Sequence, residues 1–300
     1  MNRGGNMNTG TQRTRIVVAG LLSCALVMTS GSTALADPSM KAIDEAEVQA
    51  IERAITESLP DGALANGEPR TKGTFSKEDP SKLNLDGVSL SISLEGKYRS
   101  GITTGESLVI EDGNTEYLVQ ETGEGAQVLF NIGSPSSDHS KTFTISGNKK
   151  LVPSQEYGID TGEVFVVNDD GSIHSSFDTP WAYDAEGNSV PTRFEISGNT
   201  ITQVVEPKSD SIYPIVADPD WGKIAMCAGT IIGNAALYIV PGGIVARLLA
   251  KGNSVRKAAE ILVRTLNAKS YNDKLKALRN LALNLGADVT GIGAIAKACG

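Results

Sequence analysis

The sequence VSLSISLE, residues 88–95, alternates strictly between apolar and polar side chains. Successive side chains of a β-strand point to opposite faces of a sheet, so this alternation predicts a strand with one buried and one solvated face. Further short β-rich runs follow at residues 117–120, 127–132, 142–145, 164–167, 192–196 and 201–205, with turn-forming sequences between them. We therefore expect an α+β protein in which residues 88–218 form a β-rich domain, an antiparallel β-sandwich or an open barrel.

An acidic amphipathic helix is predicted ahead of this domain, over residues 37–60. Asp37 followed by Pro38 is a typical helix start, because aspartate caps the first turn and proline fits its first position. Apolar residues then recur at mostly three- to four-residue spacing: Met40, Ile43, Val48, Ile51, Ile55 and Leu59. Glu47 interrupts that stripe. The helix either packs on its own protein or docks on a partner, and residues 61–87, rich in Gly, Pro, Lys and Glu, are predicted to be a linker.

The sign of the charge changes near residue 221. Residues 37–221 contain 13 Lys and Arg against 32 Asp and Glu, a net charge of −19, whereas residues 222–300 contain 11 against 3, a net charge of +8. The apolar residues also take up helical spacing there, with Gly286 as an expected C-cap. Residues 219–300 are therefore predicted to form a cationic helical domain, a small bundle closed by a disulfide.

A G-x-x-x-G pattern lies inside residues 224–246, a stretch without any charged residue. That spacing places two glycines on one helix face and permits close approach of a second helix. The predicted membrane or packing face consists of Gly229, Ile231, Ile232 and Gly233. A buried core helix and membrane insertion both stay open, because polar and turn-forming residues interrupt the apolar length that a span needs.

The later helices are predicted to carry a basic face, formed by Arg256, Lys257, Arg264, Lys274, Lys276 and Arg279. Such a face attracts anionic membrane lipid or cell-wall polymer by charge. It is equally compatible with an ordinary solvated surface, or with pairing to the acidic part of the same chain. Because Tyr271 is the one aromatic residue near these bases, no nucleic-acid partner is expected.

The first 36 residues have the features of a secretory signal peptide: a basic start, an apolar run over residues 16–28, and Ala34-Leu35-Ala36 as a cleavage site. Cleavage after Ala36 leaves two cysteines, Cys227 and Cys299, which predicts one disulfide in an extracellular protein. An alternative is the lipoprotein box that ends at Cys24, which would leave that residue as a lipidated N-terminus.

Catalytic signatures are missing from the sequence. His139 and His174 lie outside any metal-ligand spacing, and no nucleophile elbow, phosphate-binding loop or dinucleotide motif occurs. We therefore expect no catalytic residue, metal or cofactor, although a carboxylate pair acting on a glycan would leave no local motif. Trp181 and Trp221 could stack on a sugar ring, but packing is the commoner fate of an isolated tryptophan.

Four stretches carry a resemblance to known sequences: PWAYDA at residues 180–185, VPT at 190–192, NTITQVV at 199–205 and YPIVADP at 213–219. They resemble a recurring segment of uncharacterised secreted proteins of high-GC Gram-positive bacteria. Some of those proteins also end in a Gly/Ala/Lys-rich helical tail that runs from Cys to Cys, and the tail is loosely similar to helical bacteriocins. The resemblance implies secretion and a domain boundary, and it carries no assigned activity.

Two functions follow as hypotheses. The first is a secreted, non-enzymatic protein whose cationic helical domain interacts with membranes or the cell envelope, in a toxin-like way. The second is an extracellular binding or adhesion module that uses its β-rich domain. Burial of residues 224–246 inside their own core would favour the second hypothesis, and exposure would favour the first.

Overall fold

A computed structural model of the chain describes residues 42–64, 79–94, 97–122, 125–223, 226–234, 239, 241–267 and 270–299. The side chains of residues 223, 226–228 and 233 lie outside that description. So do the predicted signal peptide, both alternative cleavage sites and residues 65–78 of the predicted linker.

The described residues contain fifteen β-strands and six α-helices. The strands are β1 (Lys82–Leu85), β2 (Val88–Ile92), β3 (Arg99–Ile102), β4 (Leu108–Asp112), β5 (Thr115–Thr122), β6 (Gly125–Ile132), β7 (Ser140–Ile145), β8 (Lys150–Pro153), β9 (Val164–Val167), β10 (Ile173–Phe177), β11 (Trp181–Tyr183), β12 (Thr192–Ser197), β13 (Thr200–Val205), β14 (Ile215–Asp218) and β15 (Asp220–Lys223). The helices are α1 (Glu45–Thr56), α2 (Met226–Gly233), α3 (Ile244–Ala250), α4 (Val255–Thr265), α5 (Tyr271–Leu285) and α6 (Ile292–Ala298). Below, residues 79–223 are called the β region and residues 226–299 the helical region.

The strands form two antiparallel sheets. Five strands make the smaller sheet, in the order β1-β2-β7-β13-β12. Ten strands make the larger sheet, in the order β3-β4-β5-β6-β15-β10-β9-β8, with β14 pairing to both β6 and β11. One edge of β6 thus pairs with two strands, and the backbone N–H of Val128 donates to the carbonyl of Pro219 where they meet.

The two sheets share one hydrophobic core. The alternation in β2 buries Val88, Leu90 and Ile92, as the sequence predicts, against side chains of the larger sheet. Trp221, Tyr117, Phe130, Phe143 and Phe177 are the largest side chains of this core. The α+β class with antiparallel sheets is therefore confirmed.

Helix α1 covers part of the outer face of the larger sheet. Val48, Ile51 and Ile55 are buried there against side chains of β4, β5, β6 and β14. In the described residues α1 begins at Glu45, because Asp44 caps it by accepting a hydrogen bond from the N–H of Glu47 at 2.9 Å. The predicted helix start at Asp37 lies outside the described residues. Of the two interpretations, packing on its own protein is the one observed for this apolar stripe.

Residues 82–87 differ from the predicted linker, because they form β1 and its turn into β2. Leu83 and Leu85 are buried in the shared core. Asp86 and Gly87 both have positive φ angles, 48° and 81°, which suits a tight turn between two twisted strands. The signal was present in the alternation of KLNL, but four residues are too few to distinguish a strand from a polar linker.

The helical region packs on the other part of the larger sheet's outer face. Phe165 and Val167 of β9 share a buried cluster with apolar side chains of α2 to α6. Because successive strand residues alternate, Val164 and Val166 enter the core between the sheets instead. Strand β9 is thus buried on both faces, and the five helices of this region have part of their core in common with the β region.

Candidate functional site

The basic surface of the helical region is formed by side chains on α4 and α5. Lys257, Arg264, Lys276 and Arg279 are exposed, and Lys274 is half-buried. The apolar residues of the same helices point inward, with Ala258, Ala259 and Leu262 of α4 and Leu278 of α5 fully buried. The helices therefore bury most of their apolar residues and present their cationic sides to solvent, together with the exposed Val263 and Leu283.

Arg256 departs from the predicted basic face. It is only 6% exposed, and its guanidinium is inserted between two carboxylates of the β region. Its Nε and Nη2 atoms donate to Asp178 at 3.2 and 2.8 Å, and Nη2 also lies 2.7 Å from Oδ2 of Asp220. The two carboxylates outweigh the effect of burial and raise the pKa of Arg256 above its usual value. Sequence spacing could not reveal this, because both carboxylates are distant in the chain.

The strand register brings those two carboxylates together. Asp178 follows β10 and Asp220 begins β15, and these two strands are hydrogen-bonded neighbours. The N–H of Asp178 donates to the carbonyl of Asp220 at 2.9 Å. Their side chains lie on the outer face of the larger sheet, where the first turn of α4 meets it. Arg256 is the second residue of that helix, one position after Val255.

Glu163 contacts the same helix turn. Both of its carboxylate oxygens accept from the N–H of Val255, at 2.9 and 3.1 Å, and one accepts from Oγ1 of Thr161 at 2.6 Å. Its side chain is completely buried. Burial and then the charge of Asp178 raise the pKa of Glu163 to about 7, against the hydrogen bonds, which lower it.

Asp218 adds a fourth buried carboxyl group. It accepts from Nε2 of Gln127 at 2.9 Å and from the N–H of Trp181 at 3.4 Å. Burial raises its pKa well above the usual value, and burial likewise raises the pKa of Asp220. We call Glu163, Asp178, Asp218, Asp220 and Arg256 the junction cluster. None of these carboxylates has a sequence motif, because each is brought into place by sheet register.

The predicted packing face of α2 is buried where its side chains are described. Ile231 and Ile232 are 0% and 1% exposed and belong to the cluster that includes Phe165. A Cβ added to Gly229 would meet no atom within 4 Å, so this glycine makes no close helix contact in the described part of the chain. The burial of Gly233 lies outside the description. No helix in the described residues is long and apolar enough to cross a membrane.

The two tryptophans and the two histidines contact other residues of the protein itself. Trp221 is fully buried, and its Nε1 donates to Oγ of Ser175 at 3.0 Å. Trp181 is partly buried and packs under α1. Nε2 of His139 lies 3.2 Å from the hydroxyl of Tyr213, and Nδ1 of His174 lies 3.0 Å from Oγ of Ser175. Trp221 cannot stack on a ligand in this position.

A cavity of about 290 Å³ opens between the free edges of the two sheets. Phe194 and Ile196 of β12 line it on one side, and Glu163 and Val164 line it on the other. The carboxylate of Glu163 bonds to α4 on the outer face of the larger sheet, whereas Val164 faces the core between the sheets. The carboxylate of Glu163 and the cavity therefore lie on opposite faces of the larger sheet. This arrangement does not favour a catalytic pocket built on Glu163. No group of three or more His, Cys, Asp or Glu suited to a metal ion occurs among the described residues.

Cys299 is partly buried against the core of the helical region. The side chain of Cys227 lies outside the description, so the predicted pairing of these two residues stays a prediction.

Comparison with known proteins adds a distant likeness. No protein-family model matches the chain, and no curated protein is significantly similar to it. Among solved structures, the chain is similar to the family GH92 α-mannosidase of Bacteroides thetaiotaomicron, at 10% sequence identity and a TM-score of 0.25. The match covers 66% of this chain and 31% of that enzyme, less than a third of its length. A TM-score this low carries no argument about fold or function.

Proposed function

We propose that this protein is a secreted, non-enzymatic protein whose cationic helical region binds an anionic surface of the cell envelope. The observation that carries the proposal is the exposure of Lys257, Arg264, Lys276 and Arg279 on helices whose apolar residues are mostly buried. Fixed cationic side chains on a folded surface attract anionic lipid or phosphate polymers, by about 1 kcal/mol for each base near a membrane.

Burial within residues 224–246 counts against membrane insertion, as the criterion stated above requires, but it leaves the cationic side chains of α4 and α5 exposed. The geometry therefore favours binding at a surface over insertion and keeps the binding module as a second candidate. Ile231 and Ile232 of α2 and Ile244 and Val245 of α3 are buried in the protein's own core. Insertion would require these residues to leave that core and expose Phe165 and Val167 of the β region. A toxin-like action on membranes is thus a further step, which would need an opening of the helical region.

Vesicle sedimentation tests the proposal. We expect the full chain to bind vesicles that contain both phosphatidylglycerol and phosphatidylcholine, and not to bind vesicles of pure phosphatidylcholine. High salt should dissociate the bound protein. Lys276→Gln together with Arg279→Gln should weaken binding by about 10- to 30-fold. The matched control, Lys150→Gln with Lys208→Gln, removes two exposed charges from the β region and should have little effect.

Equal loss in both double variants would show that only net charge matters. Absence of binding to the vesicles and to immobilised polyglycerol phosphate, a model wall polymer, would reject the proposal.

Secretion and the disulfide belong to the same proposal. We expect a disulfide between Cys227 and Cys299, since Cys24 lies within the predicted signal peptide. Non-reducing peptide mapping of the secreted protein tests both points. It should find residues 227 and 299 in one linked pair and an N-terminus at Asp37. A lipidated Cys24 at the N-terminus would overturn the cleavage site after Ala36.

A second candidate function uses the β region as an extracellular binding module. The outer face of the smaller sheet presents a row of hydroxyl side chains across four neighbouring strands: Ser91, Thr144, Thr200 and Ser197. An adjacent pair, Thr142 and Thr202, is joined by a hydrogen bond of 2.8 Å. A row of hydroxyl side chains suits a polysaccharide chain, because hydroxyl groups both donate and accept hydrogen bonds. Retention on insoluble glycans that is lost with Thr144→Val and Thr200→Val, and kept with Lys276→Gln, would support this function over the first.

A further inference from the structure

The junction cluster contains four buried carboxyl groups and a single buried cation. Asp178 and Asp220 share Arg256, while Glu163 and Asp218 have hydrogen bonds but no cation in direct contact among the described side chains. Burying a carboxylate without a paired cation is costly, and a proton removes that cost. From this geometry we propose that the junction is a proton-dependent latch, which holds the helical region on the β region in acid and loosens as the pH rises through neutrality.

Glu163 is the group best placed to control the latch. It lies under the first turn of α4, so that docking of the helix is what buries it. The groups that face its carboxyl are Thr161 and the Val255 N–H, through hydrogen bonds, and Asp178 and Arg256, through charge. When the helical region lifts off, Glu163 regains water and an ordinary carboxyl environment.

Asp220 acts in the same direction as Glu163. Asp220 faces Arg256, Asp178 and, more weakly, Lys257. Asp218 faces Gln127, the Trp181 N–H and the charges of Asp220 and Asp178. Burial raises the pKa of both groups. Asp220, which contacts Arg256 of α4, therefore also holds a proton more tightly when the junction is closed, whereas the hydrogen-bond donors to Asp218 belong to the β region. Arg256 stays charged over this whole range, because its pKa is raised from an already high value.

The sign of the pH dependence follows from these shifts. A pKa of about 7 for Glu163 lies above the ordinary value of 4.5, so the closed junction binds more protons than the open one between these limits. The stabilisation is therefore complete below the ordinary pKa and is lost as the pH rises through 7. Between pH 5 and 8 this single group can change the closed-to-open ratio by at most about 70-fold, and about tenfold is a fair expectation for a partly relaxed site.

Opening would expose the apolar residues that now lie between sheet and helices, including Phe165, Val167 and Leu262. The inference concerns docking alone and does not depend on the helical region binding any ligand. Failure of vesicle binding would therefore leave it standing, and its own failure would leave the cationic surface unchanged.

Hydrogen exchange on the full chain tests the latch. Amide protection in α4 and α5, corrected for the intrinsic pH dependence of exchange, should fall about tenfold between pH 5 and 8, while protection in β5 and β6 stays constant. Glu163→Gln mimics the protonated acid and should flatten this dependence. The control Glu206→Gln, an exposed acid of the β region, should behave as wild type.

Two results would overturn the proposal. One is constant protection of the helices in the wild-type protein across this pH range. The other is an unchanged pH dependence in a folded Glu163→Gln variant. The wild-type measurement alone can reject the proposal, so the test remains valid if the Glu163→Gln variant fails to fold.

Discussion

The guanidinium of Arg256 and the carboxylate of Asp178 form two side-by-side hydrogen bonds, Nε to Oδ1 at 3.2 Å and Nη2 to Oδ2 at 2.8 Å. Their side chains are 7% and 9% exposed. A two-point contact of this kind fixes the orientation of both groups as well as their distance. This pair therefore sets how the first turn of α4 sits on the larger sheet, across 78 positions of sequence.

Arg256→Met should destabilise the protein by about 3–5 kcal/mol, because it leaves Asp178 and Asp220 buried without their cation. Urea unfolding at pH 7 measures the loss. Adding Asp178→Asn and Asp220→Asn to this variant should recover part of it, since the unpaired charges are then removed. The matched control is Arg264→Met, at an exposed position on the same helix, which should cost little. Similar losses for the two single variants would contradict a special role for the junction pair.

Much of the β region is predictable because its signal is local. The alternation of residues 88–92 gives both the strand and its buried face, as β2 shows. Glu47 shows where such reasoning stops. It breaks the apolar stripe of α1 because its carboxylate binds the guanidinium of Arg99 on β3, at 2.6 Å. That partner is 52 residues away, so the break looks like an irregularity in the sequence alone.

The candidate site likewise has one part that the sequence predicts and one part that only the fold reveals. The exposed bases of α4 and α5 follow from helical periodicity, which places them opposite the apolar stripe. Helical spacing in the sequence groups Arg256 with these bases. It is nevertheless buried, because the strand register places Asp178 and Asp220 beside it. Glu163 could have been suspected from its position next to the buried run VFVV, but only the packing of α4 shows what its carboxylate contacts.

Gly125→Ala tests the tight pairing of β6 with β15. A Cβ at this position would overlap the carbonyl oxygen of Trp221 and the Cα of Gly222, and backbone atoms cannot rotate away as a side chain can. We expect a loss of about 1–3 kcal/mol or more, seen as a lower Tm in calorimetry. Gly133→Ala is the matched control, since its Cβ would meet no atom within 4 Å among the described residues. Equal Tm values for the two variants would reject this register.

Reduction of the predicted disulfide should weaken the helical region selectively. A bond between Cys227 and Cys299 closes a loop of about 73 residues, which corresponds to roughly 4 kcal/mol in the chain-entropy model. Urea unfolding with and without a thiol reductant measures this difference, and Cys227→Ser with Cys299→Ser should reproduce the reduced protein. An unchanged unfolding midpoint after verified reduction would show that the bond does not stabilise this part of the chain.

Asp184 should give the protein a pH dependence opposite in sign to that of Glu163. It is 3% exposed and accepts hydrogen bonds from the N–H groups of Glu186, Asn188 and Ile212, at 3.0, 2.9 and 3.4 Å. Burial alone would raise the pKa of Asp184, but these donors outweigh burial and lower it below the ordinary value of 3.8. Its contribution is therefore present above that value and is lost as the pH falls through the lower, folded-state pKa.

Asp184→Asn should consequently cost about 1–3 kcal/mol at neutral pH, since the variant replaces a charged acceptor by a neutral amide. The difference from wild type should shrink steadily between pH 5 and pH 3, as the wild-type carboxylate takes up its proton. Urea unfolding across this range measures it, with Asp210→Asn as a control at an exposed position in the same part of the chain. A constant difference at every pH would mean that the loss comes from altered packing, and that the charge of Asp184 does not stabilise its turn.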